Sequence, residues 1–414
     1  MALANTPTTL NGFFKESYAK DLKNLIPDGI KLLPMIPFSK KEAILGSLYH
    51  QPVILGHEHG VTFAGATDDA FTLSDAVAGA TKDAQVQGTQ LVLRSVLGLA
   101  AASRAAAGDK AAFMGATKFL VKNMIQSVAK KLEIEMLYGQ MGYASLDVVE
   151  PIGETVIAIP AAEWAPGIWA GAENMPIEIR LTASPFTVKT TAGTYITAVD
   201  FENKTITLSA GLATATVGST AGDTIWHKSA YGNEFAGIHK IITNTGTLFN
   251  ISASTYSLFK GNSYAAGGAL SLAKLQDAIS KAIAKGLDND VVVIVNPDVW
   301  VDLMNEQSAL RVIDSSYSKE KSESGAKKLE FHSQNGTMEI VPSIYCKVGF
   351  AYVVSPDDFM RIGSTDVTFN RPGKEGEFFR DLDSQAGYEL RCYCDQALFC
   401  AAPAKQVIIT GITT

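Results

Sequence analysis

The stretch Val291-Val292-Val293-Ile294-Val295-Asn296-Pro297-Asp298-Val299-Trp300 decides the fold. Five consecutive β-branched residues read as a buried strand. Asn296-Pro297-Asp298 breaks it and starts a helix over Val299–Asn305. Working outward, a small-residue helical stretch, Ala269–Leu287, leads into the strand, and a polar loop, Asp314–Lys328, follows the helix. Strands are expected around Met338–Val341, Phe350–Val354 and Val367–Asn370. Past a charged joint, two more are expected at Tyr388–Tyr393 and Ala397–Ala401. This order carries no recognisable catalytic motif.

Toward the N-terminus, Pro151–Phe235 reads as a small all-β insertion. Its strand signals are Phe186–Lys189, Tyr195–Val199, Thr205–Leu208 and Ala221–Trp226, with a turn at Glu202-Asn203-Lys204. Before it, Ala111–Tyr138 is the longest helix candidate. Val121, Ile125, Val128 and Leu132 give its apolar spacing, Lys118, Lys122, Lys130 and Lys131 its polar sides, and Gly139 and Gly142 its stop. Leu45–Thr62 and Asp83–Leu97 are strand-like and flank a soft Gly-, Ala- and Asp-rich tip, so they predict a long hairpin. A two-stranded hairpin is marginal alone in water and needs a surface to lie on. Leu10–Leu25 predicts an amphipathic helix with Phe14, Tyr18, Leu22 and Leu25 on one face. Pro27-Asp28-Gly29 ends it, and Pro34 and Pro37 keep the following arm extended. The arm's apolar face also needs cover, from this fold or from a neighbour.

Composition points the same way. Of 414 residues, 47% are hydrophobic and 19% charged, against about 25% charged in an average domain. Few charges and ample apolar surface suit a chain that buries area against neighbours. No run approaches the roughly 18 uninterrupted apolar residues of a membrane-spanning helix; Leu91–Ala107 is cut by Arg94, Ser95, Ser103 and Arg104. Met1–Asn5 lacks the basic start and apolar core of a secretory signal. A net charge of −7 without a basic stripe argues against sequence-specific nucleic-acid binding. Cys346, Cys392, Cys394 and Cys400 lie in strand-like contexts and read as reduced, buried thiols; Cys392 and Cys394 alternate onto one strand face.

Candidate chemistry is sparse. His57-Glu58-His59 is not an HExxH helix, and strand alternation would put both histidines on one face without further ligands. It reads as a solvated or intersubunit hairpin tip. Gly211–Gly218 carries no phosphate-loop ending, and there is no GxSxG elbow. No catalytic residue, metal or cofactor is expected. Lys319, Glu320, Lys321 and Glu323 alternate in sign within the polar loop, so copies around an axis could pair there. In the joint Gly373–Asp381, Lys374, Glu377, Arg380 and Asp381 are candidates for intersubunit ion pairs, with Phe378 and Phe379 in the core.

The order of arm, hairpin, long helix, β insertion, α/β unit and closing strands resembles the HK97-fold major capsid proteins of tailed bacteriophages over nearly the whole chain. The resemblance implies an α+β, HK97-like capsid fold. Residues 1–41 would form the N-terminal arm, 42–105 the E-loop hairpin region, 106–151 the P-domain spine helix and 152–230 an inserted β domain. Residues 231–370 would be mainly A-domain and 371–414 closing P-domain strands. It further implies a structural protein that self-assembles into pentamers and hexamers of an icosahedral head around double-stranded DNA. The chain would be put together in the host cytoplasm and located in the virion. Its partners would be copies of itself, a separate scaffolding protein, a portal protein and a decoration protein. Phe14, Tyr18, Leu22, His57, Glu58, His59 and Lys82 become candidates for contact with neighbouring copies. Some relatives join an E-loop lysine to a P-domain asparagine; Lys82 and Asn370 stand at such places, and residue type alone does not establish the bond. Two rivals remain: an encapsulin-like compartment around a cargo enzyme, which the β insertion and extra length disfavour, and a hydrolase with an unrecognised site.

Overall fold

The computed structural model describes residues 26–39, 48–67, 70–98, 110–181, 186–216, 222–311, 329–333, 336–370, 378–382 and 386–413. In chain order these hold a helical turn α1 (Leu32–Met35), β1 (Tyr49–Gly56), β2 (Ala80–Val86), β3 (Thr89–Gly98) and the long helix α2 (Lys110–Tyr138). Then come β4 (Ala144–Ser145), β5 (Val156–Ala158), α3 (Pro166–Trp169), β6 (Ile177–Leu181), β7 (Ile196–Asp200), β8 (Thr205–Leu208) and β9 (Asp223–His227). The α/β unit follows as α4 (Ile238–Thr243), β10 (Thr247–Leu248), β11 (Ile251–Ser252), β12 (Asn262–Gly268), α5 (Leu272–Ile283), β13 (Val291–Val295), α6 (Pro297–Arg311), β14 (Leu329–Ser333), β15 (Gly336–Pro342) and β16 (Phe350–Val354). β17 (Phe359–Thr368), β18 (Phe379–Asp381), β19 (Gly387–Cys400) and β20 (Val407–Ile412) close the chain.

β13 is central in a six-stranded sheet ordered β12-β20-β16-β13-β15-β14. It runs parallel to β15 and antiparallel to β16. Alternation splits its side chains between two cores. Val291, Val293 and Val295 meet Leu275 and Ile279 of α5 and Val299 and Leu303 of α6. Val292 and Ile294 face the main core. Asn296 ends the strand and caps the helix: its Oδ1 accepts the Asp298 N–H at 3.0 Å, and its Nδ2 donates to the Cys346 carbonyl at 2.7 Å. Pro297 takes the first helical position, where a missing N–H costs nothing.

The long helix departs from the one-sided stripe that its spacing predicts. Met124, Val128 and Leu132 are buried, whereas Ile125 is exposed. From Leu132 to Tyr138 every side chain is buried, because α1, α4, β3 and β19 surround this half. Lys130 and Lys131, expected on polar sides, turn inward: Lys130 Nζ donates to the Ala170 carbonyl at 2.6 Å and Lys131 Nζ to the Tyr143 hydroxyl at 3.0 Å. At the helix end, a Cβ on residue 139 would stand 2.2 Å from the Phe235 carbonyl oxygen, so only glycine fits.

The closing sheet corrects three expectations. Tyr388–Tyr393 and Ala397–Ala401 form one strand, β19. Its pairing with β3 runs without a break from Gly387↔Gly98 to Gln396↔Thr89. Val367–Asn370 is not a separate strand; β17 reaches back to Phe359, with an irregularity between Ile362 and Thr365. Gly363 permits that shift, since a Cβ there would lie 2.1 Å from the Asp395 carbonyl oxygen. Phe378 and Phe379 are not core but 47% and 38% exposed, because the short edge strand β18 is covered by β19 on one side only.

Two three-stranded sheets, β4-β9-β6 and β5-β8-β7, follow the long helix, and β4 precedes the segment expected as the insertion. The β7–β8 hairpin turns at Phe201–Lys204. Asp200 Oδ1 accepts from the N–H groups of Glu202 and Asn203, and Lys204 takes a φ of 54°. Phe186–Lys189 makes only a bridge, Val188 to Arg180. The four cysteines are free and buried.

Candidate intersubunit surfaces and the residues that anchor them

β1 and β2 pair antiparallel from Tyr49↔Val86 to Gly56↔Ala80. The second expected strand, Asp83–Leu97, is in fact two. Gln87-Gly88 interrupts it, β2 stays in the hairpin, and β3 enters the closing sheet. The hairpin base is built into the body. Ala84 and Val86 are buried, Gln85 N–H donates to the Phe249 carbonyl at 3.0 Å, and Tyr49 and Phe249 both stand edge-on to Phe399, at 6.3 and 5.3 Å.

Beyond Gly56 the chain leaves the ladder. A backbone bond and a side-chain bond tie its limbs: His59 N–H donates to the Val77 carbonyl at 3.1 Å and Ser74 N–H to the Thr62 hydroxyl at 2.8 Å. Here Phe63 and Leu73 are 92% and 73% exposed, with Val61, Phe71 and Val77 exposed beside them, and Ile54, near the end of β1, is 72% exposed. Apolar exposure concentrated this way marks an interaction surface.

His57, Glu58 and His59 are exposed and lie past the end of β1, outside any strand, so the strand alternation expected of them does not apply. Among the described residues, no group of histidine, cysteine and carboxylate side chains could hold a metal ion. Lys82 is exposed on β2 opposite Val53, and Asn370 is exposed just past β17. Arg380 is engaged within its own chain: it donates to the Tyr393 hydroxyl at 2.5 Å and lies over that ring. Asp381, beside it in β18, is exposed. Phe14, Tyr18, Leu22, Lys319, Glu320, Lys321, Glu323, Lys374 and Glu377 lie outside the described residues.

Sequence reading missed the anchor of the chain's early segment. Glu133, buried on α2, accepts three backbone N–H bonds, from Lys31 and Leu32 at 2.8 Å and from Leu33 at 2.9 Å. Burial raises its pKa, while those N–H groups and the positive charge of Arg361 oppose the rise. Arg361, buried on β17, donates from Nε to the Ile36 carbonyl at 2.6 Å and from Nη1 to Gln396 at 3.2 Å. A carboxylate and a guanidinium thus fasten the two ends of residues 31–36. The available signal was a glutamate placed between Leu132 and Ile134.

A helix strut, a closing sheet, an α/β wedge, an inserted β unit and a projecting hairpin make this the HK97-like capsid fold. The cyanophage A-1(L) capsid asymmetric unit matches it with a TM-score of 0.60 at 11% identity, over 99% of this chain and 100% of that one. The capsids of the empty and native GTA particles each match with a TM-score of 0.52 at 7% identity, over 99% and 100% of this chain and the whole of theirs. No family model matches the sequence, and no curated protein does.

Proposed function

We propose that this chain is a structural capsid protein whose copies assemble into a closed shell. The observation that carries the reading is the hairpin: its base is welded to the body, while its outer half presents Ile54, Phe63 and Leu73 to solvent. A monomer gains nothing from such a surface, and a second copy laid beneath it would bury it. Full-length likeness to capsid subunits supports the same reading. In it, pentamers and hexamers build an icosahedral phage head that encloses double-stranded DNA, and the chain resides in the virion. Enclosure needs no base-reading contacts, in keeping with a net charge of −7. The first partner is the chain itself; scaffolding, portal and decoration proteins are the further partners that the resemblance implies. Sedimentation velocity of the purified chain, alone and with a co-expressed scaffolding candidate, tests the reading. Rings or shells are expected, and a monomer under every condition would refute it.

A further inference from the structure

The end of α2 meets the 234–237 segment through a reciprocal pair of carboxyl groups. Glu135, on the helix, accepts the Phe235 N–H at 2.9 Å. Glu234, on the segment, accepts the Gln140 N–H at 3.2 Å just past the helix, and Gln140 Nε2 donates to the Glu234 carbonyl at 3.1 Å. Gly237 N–H adds a bond to the Gly139 carbonyl at 3.0 Å. Both carboxyl groups line a cavity of ≈ 380 Å³ walled by Leu91, Leu93 and Val128. The charged and titratable neighbours come from every element around it: Lys131 on α2, Tyr143 after the helix, His227 on β9 and Lys228 beyond it, with Cys394 of β19 within electrostatic reach of Glu135. β3 contributes Thr89 and apolar side chains. Lys131 makes no ion pair there; its Nζ meets the Tyr143 hydroxyl and the Met175 sulfur.

We propose that Glu135 and Glu234 form a proton-held joint, closed between the helix end and the 234–237 segment while the carboxyl groups are protonated and loosened as they ionise. Two like charges facing one cavity of mainly apolar surface cannot both be accommodated cheaply, although the charge of Lys131 favours ionisation of Glu234. Burial, then the charge of Glu234, pushes Glu135 up to about 8, against the bonds from Phe235 and Thr89; burial pushes Glu234 up to about 7. Opening the joint hydrates both groups and returns them toward ordinary carboxylate acidity. The closed joint therefore holds more protons than the open one from about pH 5 to about pH 7, and rising pH favours opening. His227, pushed down to about 4 by burial, opposes this below its ordinary value, and Lys131, pushed down to about 7 by burial, opposes it above neutrality. The response is therefore steepest just below neutral pH. The joint connects the long helix, the closing sheet and the insertion, so it is a place where these units could turn relative to one another.

The inference does not rest on shell formation. Amide hydrogen exchange of the full chain, corrected for intrinsic rates, would be followed from about pH 5 to about pH 7.5. Opening of segments 139–141 and 234–237 should rise roughly a hundredfold across that range, with β13 unchanged. In an E135Q/E234Q variant, whose amide oxygens still accept both N–H bonds, the rise should vanish. A wild-type protein with no local rise, or a variant with the same rise, would overturn the proposal.

Discussion

Glu133 Oε1 accepts the backbone N–H of Leu32 at 2.8 Å across 101 residues of sequence. The same carboxylate takes the N–H groups of Lys31 and Leu33, so one buried side chain supplies the N-terminal acceptors that α1 lacks from its own cap residue. Glu133→Ala orphans three donors. A loss of roughly 2–4 kcal/mol is expected, read as a lowered urea midpoint, together with faster proteolytic cleavage near residues 31–36. Unchanged stability would contradict this anchoring role.

The hairpin surface separates folding from association. Phe63→Asp with Leu73→Asp touches side chains without a packing role in the single chain, so stability should change by less than about 0.5 kcal/mol. Assembly should be lost, as judged by sedimentation. Wild-type assembly in this variant would show that the hairpin's apolar side is not an interface.

Gly139→Ala tests sterics at the helix end. Residue 139 lies just past Tyr138, the last helical residue, so the helix-interior gain of alanine over glycine is not available there, and the new Cβ would stand 2.2 Å from the Phe235 carbonyl oxygen. A net loss of about 1–3 kcal/mol is expected. Thermal unfolding decides it; a raised midpoint would mean that the contact relaxes.

Two half-buried imidazoles predict acid sensitivity. Burial pushes His227 and His239 down to about 4, and His239 Nδ1 sits 2.8 Å from the Tyr352 hydroxyl. The unfolded chain takes up these protons at ordinary histidine values, so their contribution is intact above about pH 6.5 and lost as pH falls toward 4. The slope per histidine is at most about 1.4 kcal/mol per pH unit. His239→Gln should flatten the fall between about pH 6 and pH 4.5 in denaturant titrations; an unaltered slope would assign it to other groups.

Legibility followed local pattern. β13 and β16 were readable because strands covered on both faces spell uninterrupted apolar runs, Val291–Val295 and Phe350–Val354. The hairpin was readable from two strands around a soft tip. Its second strand looks continuous in sequence because Gln87-Gly88 is too short a break to reveal that β2 and β3 pair with different partners. β19 was divided at Asp395-Gln396, which look like a turn in isolation and are held in strand by β3. The charged core escaped for a related reason. Lys131, Glu133 and Glu135 carry surface composition, and only the packing of distant segments around α2 makes them internal. Phe378 and Phe379 show the converse, apolar residues left outward on an edge strand.

The central claim is that copies of this chain cover one another's hairpins. Cryo-electron microscopy of the assembled protein tests it most directly. The account predicts a shell of rings in which Phe63 and Leu73 of each copy are buried against a neighbouring copy. Shells that leave both side chains in solvent, or preparations that yield only separate monomers, would contradict it.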